Sequence, residues 1–437
     1  MSDPTFPPSA DTVPPTLDPG MVLKRQQHLL IFLTVLIDLI GFGILIPIIQ
    51  SYGKAYGASD WQLAMLMGVY SLMQFIFAPV LGKLSDRIGR RPVILASLIG
   101  STLGYLILAG ADLAPTATLS LALLFFARIV TGICGASFSA AQAYLADITA
   151  PEKRAGVMGM IGAAFGLGFM IGPVLGGIAS EWGRPAPFLL AAALSLLNLA
   201  FAYKKLPESL TPALRAAAAA SPTSRPSLPQ AWAAARGTPL AALIPANFLV
   251  ITAFSIMTTC FILFTEHRFD LTPKQNGLLF GFIGIIGVFI QGGLIRKIAK
   301  PHTERPLALV GIVCMTLSLI LLPLTTPWLA LLSVISLMAI GNSLTSPTLN
   351  SMASRAATAS AQGSTLGIMA SAGSLGRFIG PFAAGPLLYI KPETHYAQWS
   401  LWAAAATMAL AFLATLKVKP TPAPTATSGE KSVASLP

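Results

Sequence analysis

The sequence is a succession of apolar runs separated by short polar stretches. Each run has about twenty residues, the length that an α-helix needs to cross the roughly 30 Å core of a bilayer. The first six runs lie near residues 29–50, 61–83, 92–111, 118–146, 156–180 and 186–204. The next six lie near residues 238–264, 275–295, 306–325, 328–352, 362–388 and 398–416. The pattern therefore predicts an all-α membrane protein with twelve transmembrane helices, spans 1 to 12.

A glycine pattern in span 5 recurs in span 11. The first copy is Gly159, Gly168, Gly172-Pro173 and Gly176-Gly177, and the second is Gly367, Gly376, Gly380-Pro381 and Ala384-Gly385. Every matched position is displaced by 208 residues, and five of the six positions are identical. Small residues allow close packing, so glycine-rich membrane helices resemble one another by composition, but composition does not fix this register. We therefore predict two homologous six-helix halves, related by an axis along the membrane normal.

The segments between and outside these runs set the domain boundaries. Residues 1–28 contain many prolines and are predicted to be a disordered cytoplasmic tail without a cleaved signal peptide. The N-terminal half covers 29–204 and the C-terminal half covers 238–416. Between them, residues 205–237 are rich in Ala, Pro and Ser and are predicted to be a cytoplasmic linker. Residues 417–437 form a second cytoplasmic tail.

Composition agrees with a membrane protein embedded in a lipid bilayer. The chain is 54% hydrophobic and 10% charged, and its formal net charge is +12. The basic residues lie in short loops, so we expect no nucleic-acid partner. With the N-terminus in the cytoplasm, 21 Lys and Arg residues fall on that side and five on the other. This bias predicts a multi-pass protein of the cell (inner) membrane with both termini cytoplasmic.

The raw material for enzyme chemistry is sparse. The three cysteines, Cys134, Cys260 and Cys314, lie in apolar runs, which argues against disulfides. The four histidines show no metal-ligand spacing. No nucleophile with its base and no paired carboxylates are evident. We therefore expect no enzyme activity, no metal and no cofactor.

Two charges remain inside the first half once the loops are assigned. Asp38 in span 1 and Arg128 in span 4 both fall near the membrane midplane. Each costs about 2.5–3.5 kcal/mol there on insertion scales, so we expect them to form an ion pair. The pair is either static, joining two helices, or includes a carboxylate that gains and loses a proton, as coupling to a proton gradient requires.

The loop between spans 2 and 3 combines glycines with charges. It contains Gly82, Asp86, Arg87, Gly89, Arg90 and Arg91. Gly89 can supply the left-handed residue of a tight turn, and Asp86 can pair with arginines at the cytoplasmic end. A plain positive-inside loop would explain the arginines but not the glycines and the aspartate.

Other polar residues in the spans are candidates for substrate binding. They are Gln74, Gln142, Asn247, Asn342 and Arg377. Each amide could instead form a hydrogen bond between helices. Arg377 either attracts an anionic group of the substrate, or caps a carbonyl or extends toward the outer interface.

These motifs resemble those of the major facilitator superfamily, in particular the tetracycline-efflux-like branch of drug and proton antiporters. Gly82 to Pro92 resembles the loop 2–3 signature, and Asp38 to Gly43 with Pro47 resembles the span 1 signature. Arg128 to Gly135 resembles the span 4 signature, and Gly159 to Gly177 the antiporter signature of span 5. The resemblance covers nearly the whole chain from about residue 29 to 416.

The resemblance implies roles for these residues. Asp38 and Arg128 would act in proton coupling, and Asp86 with its arginines would form a cytoplasmic latch near Asp147 and Arg154. The glycine face of span 5 would slide against a helix of the other half. The residues implied in gating are Gly82, Asp86, Arg87, Gly89, Arg90, Arg91, Asp147, Arg154, Gly159, Gly168, Gly172, Pro173, Gly176, Gly177, Gly376, Gly380 and Pro381.

One departure from the branch bears on the substrate. Tetracycline exporters carry acids in spans 3 and 9 and a histidine in span 8, where this chain has Gly104, Cys314 and Gly287. We therefore do not expect export of a metal–tetracycline chelate.

The expected function is a monomeric, proton-coupled antiporter that exports small amphipathic or drug-like molecules by alternating access and uses the proton gradient as its energy source. The alternative on the same fold is a uniporter or symporter of a polar or anionic metabolite. A transporter-like receptor or scaffold is a third reading, which the full set of gating motifs disfavours. The sequence does not identify the substrate.

Overall fold

The computed structural model describes residues 19–149, 154–210, 236–300, 302–357, 362–388, 390 and 396–418, which form helices and short connections without a strand. The first six crossings are α1 (Pro19–Leu45, continued by Ile49–Ala55), α2 (Asp60–Ile88), α3 (Arg90–Gly110), α4 (Ala117–Gly135, continued by Phe138–Ile148), α5 (Arg154–Ala179) and α6 (Ala186–Lys205). The second six are α7 (Leu240–Phe269), α8 (Pro273–Phe289, continued by a π-helical turn at Ile290–Leu294 and by Ile295–Ile298), α9 (Glu304–Leu321), α10 (Trp328–Ala356), α11 (Gln362–Leu388) and α12 (Gln398–Leu416).

The twelve helices correspond to the twelve predicted spans, in two sets of six. Eleven of them are long and apolar enough to cross a membrane. The exception is α11, which has 27 residues but contains Arg377 along with many serines and glycines, and these lower its hydropathy. It is packed against α2, α7 and α12. A helix enclosed by protein can carry polar residues through the bilayer, because its polar groups do not face lipid.

Both halves use the same start signal at one junction. Ser59 begins α2 and Thr272 begins α8, and each forms a capping box with a glutamine three residues later, Gln62 and Gln275. The hydroxyl accepts from the glutamine backbone N–H, while the glutamine Oε1 accepts from the backbone N–H of the capping residue, at 2.9 Å in α2 and 2.8 Å in α8. This reciprocal bonding fixes where the helices begin.

The described chain departs from the predicted boundaries at one end. Helix α1 begins at Pro19, within the segment predicted to be a tail. Proline suits the first helical turn, and no further proline follows before the apolar run. Most of the predicted linker, 211–235, and the tail beyond 418 lie outside the described residues. The three cysteines are free, and no cluster of metal-ligating side chains occurs within the described part of the chain.

The repeated glycines hold each half together. Gly168, Gly172 and Gly176 share one face of α5 and lie against Leu39, Ile40, Gly43 and Ile44 of α1. Their counterparts Gly376 and Gly380 lie against α7, at Phe248, Thr252 and Ser255. The prediction that this face meets a helix of the other half is therefore wrong. Residues four apart stay on one side of a helix, and that side is already covered by the first helix of the same half.

The contact between halves is made by the neighbouring face. Gly177 lies against Pro273 and Lys274 of α8, and Gly385, at the matching position of the repeat, lies against Trp61 of α2. Helices α5 and α8 thus form one junction between the halves, and α2 and α11 form the other.

We name the two ends of the bundle by what they carry. The termini end carries Pro19, Gly89 and Leu416, and the far end carries Ala55 and Phe269. Polar contacts between the halves lie at the far end. Gln50 Nε2 donates to the Thr259 carbonyl at 2.9 Å, and Lys274 Nζ donates to Glu181 at 2.9 Å.

The two halves separate toward the termini end. Helix α5 meets α8 at Pro173 and Met170, opposite Gly277 and Gly284. Gly166 and Gly162 continue this face of α5, yet no atom lies within 4 Å of their Cβ positions, and the same is true of Gly292 on α8. Among the described residues, the halves are therefore closed together at the far end and open at the termini end.

Candidate transport site

Asp38 lies partly exposed in the middle of α1. Within the described residues its carboxylate has no hydrogen bond and no ion pair. Tyr70, Tyr105 and Cys134 are within electrostatic range of it. The Tyr105 hydroxyl also reaches α1, 3.2 Å from the Cβ position of Gly41. The site therefore contains a carboxylate without a fixed partner, surrounded by tyrosines.

Arg128 is 2% exposed and has other partners. Its Nε donates to the carbonyl of Leu66 on α2 at 3.0 Å. The guanidinium lies over the ring of Tyr70, 4.5 Å from the centroid, with Phe42 at 6.0 Å. A cation over aromatic faces gains up to about 2 kcal/mol when it is desolvated.

The predicted ion pair between Asp38 and Arg128 is absent. Within the described chain no Asp38 oxygen lies within 4.0 Å of an Arg128 nitrogen. Tyr70 and the Leu66 carbonyl compensate the buried cation instead, which leaves the carboxylate available to a proton or a ligand.

Tyr70 interacts electrostatically with all three charges of this region. It lies within electrostatic range of Asp38 and Arg128 in its own half and of Arg377 in the other half. Since α2 packs against α11, this tyrosine sits where the halves meet. The sequence analysis missed this residue. The signal that could have found it was a tyrosine within a largely apolar span.

A row of aromatic rings leads from this cluster toward the termini end. The Phe42 and Phe169 centroids are 5.8 Å apart, those of Phe169 and Phe165 are 6.3 Å apart, and those of Phe165 and Phe138 are 5.1 Å apart. All four rings are partly exposed. They form an apolar wall suited to the body of an amphipathic molecule.

The C-terminal half contributes polar donors to the region of Tyr70. Arg377 on α11 donates from one Nη to the Ser374 hydroxyl at 2.9 Å and forms no ion pair with a described residue. Asn247 on α7 donates to the Met369 carbonyl at 2.9 Å. A Cβ at Gly373 would lie 3.7 Å from the other Arg377 Nη and 3.9 Å from the Asn247 Nδ2. The two donors therefore approach the same point beside Gly373.

The remaining predicted binding residues differ in their hydrogen bonds. Gln74 donates to the Gly135 carbonyl at 3.2 Å, so it forms the hydrogen bond between helices that was its alternative role. Gln142 and Asn342 are partly buried, and neither has a hydrogen-bond partner among the described residues.

The termini end of the N-terminal half carries a charged network. Arg90 donates to Asp86 and Ser85, and its Nε lies 3.1 Å from Asp147 Oδ2. Glu208 accepts from the backbone N–H of Arg90 at 2.9 Å and of Arg91 at 3.1 Å. A carboxylate at this position satisfies free N–H groups at the start of α3.

The other loop residues have separate positions. Gly89 has φ +113°, which only glycine adopts without strain. Gly82 is buried and Arg87 is exposed. Arg91 donates to the Tyr203 carbonyl at 2.6 Å. The side chain of Arg154 and the Cβ side of Gly159 lie outside the described part.

The sequence pattern of the Major Facilitator Superfamily matches residues 31–381. The chain belongs to this superfamily. It is 35% identical over 367 residues to the tetracycline resistance protein, class C, of Escherichia coli, covering 82% of this chain and 89% of that protein. It is 27% identical over 381 residues to multidrug resistance protein 2 of Bacillus subtilis (strain 168), covering 86% of this chain and 92% of that protein.

A solved transporter of the superfamily has the same fold. The crystal structure of the human organic anion transporter MFSD10 (TETRAN) superposes on this chain with a TM-score of 0.68 at 26% sequence identity. The match covers 90% of this chain and 99% of that one. The predictions of the superfamily, of the tetracycline-efflux-like branch and of the twelve-helix, two-repeat fold are thereby confirmed.

The structure contains one further contact between the halves that the sequence analysis missed. Ser51 on α1 donates to Glu266 on α7 at the far end. Glu266 lies in the segment Phe264 to Phe269. The charged residues of this segment, at the end of an apolar span, were the signal in the sequence. This bond contributes to the closed far end.

Proposed function

We propose that this protein is a proton-coupled antiporter that exports small amphipathic or drug-like molecules from the cell. The tetracycline and multidrug resistance proteins among its relatives support export of such molecules. The excess of Lys and Arg at the termini end supports a cytoplasmic location for that end in a cell (inner) membrane. On this proposal the protein acts as a monomer without a bound cofactor, and its open termini end makes the described state inward-open.

The observation that carries the proposal is the state of Asp38. This carboxylate is partly exposed in the middle of the bundle and has no fixed partner among the described residues. An acid inside a membrane protein is costly, and one without a structural partner serves function rather than packing. A proton that enters from outside can neutralise Asp38 and thereby change its interaction with Tyr70 and Arg128.

Alternating access requires the two ends to exchange roles. Opening the far end breaks the Ser51–Glu266, Gln50–Thr259 and Lys274–Glu181 contacts. Closing the termini end brings Gly166 and Gly162 toward α8. The proton on Asp38 shifts this equilibrium by the difference in proton affinity between the two states.

The test is drug accumulation in cells that express the wild type or Asp38→Asn, with and without an uncoupler. We expect the wild type to lower accumulation of amphipathic fluorescent compounds. We expect the uncoupler and Asp38→Asn each to remove that effect, while the variant remains folded and membrane-inserted.

The matched control is Asp270→Asn. Asp270 is exposed at the far end and has φ +51°, a conformation that asparagine adopts readily. This control should export like the wild type. Export by Asp38→Asn that still responds to the uncoupler would contradict the coupling role.

A second function is favoured by Arg377, which has no carboxylate partner in the described chain. A uniporter or symporter of a polar or anionic metabolite would use this cation to bind its substrate. The name of MFSD10 as an organic anion transporter supports this alternative. Transport that survives collapse of the proton gradient, with competition by carboxylated compounds, would favour it.

A further inference from the structure

We infer that Arg377, Asn247 and Gly373 form a subsite for the carboxylate group of an amphipathic substrate. This inference rests on the proposed transport function for its role in the cell, and it names the chemical class of the substrate. The subsite lies in the C-terminal half, between α7 and α11, and Tyr70 is within electrostatic range of both Arg377 and Asp38.

The first observation is an arginine whose donors are not all used. One Nη of Arg377 donates to Ser374, on the same helix. The other Nη faces the point where a Gly373 side chain would begin, at 3.7 Å. Within the described residues no acid pairs with this guanidinium. A cation in the middle of a bundle without an internal acid is suited to an anion from outside the protein.

The second observation is a second donor at the same point. The Asn247 Nδ2 lies 3.9 Å from that Cβ position. The amide nitrogen has two N–H groups, and one of them donates to the Met369 carbonyl at 2.9 Å. The other N–H has no acceptor among the described residues. An arginine and an amide that converge on one point match the two oxygens of a carboxylate.

The third observation is the glycine that lies beside both donors. A methyl at Gly373 would stand between the two donors and would also touch Ile251 Cδ1, at 2.7 Å. Gly373 is not part of the repeated glycine pattern, and it does not mediate a backbone contact with another helix as Gly376 and Gly380 do. Any side chain at this position would therefore crowd Ile251 and both donors.

The geometry also gives the substrate its orientation. Tyr70 is within electrostatic range of Arg377, and it stacks with Phe42 at 4.8 Å between centroids. The aromatic row that starts at Phe42 continues toward the termini end on the N-terminal side. A molecule with its carboxylate at Arg377 can therefore place an aromatic or aliphatic body on this row.

The test measures binding rather than transport, so that it does not depend on proton coupling. Purified full-length protein in lipid nanodiscs is titrated with naphthalene-2-carboxylate and with the uncharged naphthalene-2-carboxamide, by calorimetry. We expect the wild type to bind the carboxylate about tenfold or more tightly than the carboxamide, because hydrogen bonds to charged groups are the strong ones. Arg377→Gln should remove this preference and leave carboxamide affinity unchanged.

Two further variants separate a binding role from a structural one. Asn247→Asp places an acid beside Arg377 and should abolish the carboxylate preference, although the side chain keeps its size. Gly373→Ala should do the same, because its methyl would stand between the two donors and push Ile251 aside. Gly367→Ala, on the same helix with nothing within 4 Å of its Cβ position, should bind like the wild type.

The outcomes are distinct from those for the proposed function. Equal affinity of the wild type for the two compounds, or an equal loss of both in Arg377→Gln, would overturn the subsite. Asp38→Asn should keep the carboxylate preference. If it does so while proton-driven export is not observed, the subsite stands and the antiporter proposal fails.

Discussion

Tyr70 takes the place of Asp38 as the side chain that stabilises Arg128. A buried guanidinium needs hydrogen-bond acceptors and negative electrostatic potential, and either an acid or an aromatic ring with a carbonyl can supply them. Arg128 uses the second solution, with Tyr70 and the Leu66 carbonyl. The consequence is that Asp38 and Arg128 can act separately.

Substitution of Tyr70 tests this arrangement. Tyr70→Leu removes the ring under Arg128 and should lower the free energy of unfolding by about 1–2 kcal/mol, with reduced transport. Tyr70→Phe keeps the ring and should retain stability. Thermal unfolding in detergent with the matched transport assay measures both. Equal stability of the two variants would show that the ring does not stabilise Arg128.

At the scale of single residues, the sequence predicted the positions of charges but not their partners. The positions of Asp38 and Arg128 in their spans place them at similar depth in the membrane. The free-energy cost of an isolated charge there then suggests that they pair. Which carbonyl or ring lies beside a cation depends on the rotation of each helix. Tyr70 comes from α2 and Leu66 from the same helix one turn earlier, and no pattern in the sequence marks them as partners of α4.

At the scale of helices, the glycine repeat predicted positions and symmetry correctly but assigned the wrong partner. Residues 168, 172 and 176 share a face, which any helical projection shows. The structure adds that α1 covers this face and that the next glycine, Gly177, about 100° further round, meets α8. The corresponding residue Gly385 meets α2, so the two copies of the repeat make equivalent contacts.

Two glycines of α5 are predicted to respond differently to alanine. A Cβ at Gly176 would overlap the backbone carbonyl of Ile44, which cannot move aside as a flexible side chain can. Gly176→Ala should therefore lower the free energy of unfolding by about 1–3 kcal/mol. The control is Gly162→Ala on the same helix, where nothing lies within 4 Å and stability should be unchanged or higher.

Thermal unfolding and folded yield in detergent measure this difference. If both variants lose equal stability, the contact between α1 and α5 is not the source of the effect. Gly162→Ala is informative in transport as well. Gly162 continues the face that meets α8, so a methyl there would interfere with closure of the termini end rather than with the state described.

At the scale of the whole molecule, the charges of the two halves decide which coupling is possible. Asp38 and Arg128 line the N-terminal side, Arg377 lines the C-terminal side, and Tyr70 and Tyr105 lie among them. The formal charge of the three ions is +1 with Asp38 ionised and +2 with Asp38 protonated. A simple anion near these groups therefore favours the protonated state, and by reciprocity the proton favours the anion.

This linkage gives opposite signs for cotransport and exchange. A simple carboxylate should bind more tightly as pH falls, which is the behaviour of a symporter. Exchange requires the opposite, because substrate and proton must compete. An exported substrate therefore needs, besides its anionic group at Arg377, a hydrogen-bond donor or cationic group that binds ionised Asp38.

The prediction is that amphoteric compounds and simple carboxylates differ in the sign of their pH dependence. Between pH 5.5 and 8, naphthalene-2-carboxylate should bind more weakly as pH rises, and an aminomethyl derivative of it should bind more tightly, each by up to about tenfold per pH unit. Calorimetry in nanodiscs measures both affinities. Asp38→Asn has no titrating carboxylate at this position, so both curves should become flat.

The result distinguishes the two functions. If the amphoteric compound binds more tightly at high pH, proton and substrate compete, as a proton antiporter requires. Protonation of Asp38 from outside then releases the substrate. If the amphoteric compound instead follows the simple carboxylate and binds more tightly at low pH, proton and substrate travel together. The fold and its two junctions would be unchanged, but the protein would be a carrier of organic anions and not a drug exporter.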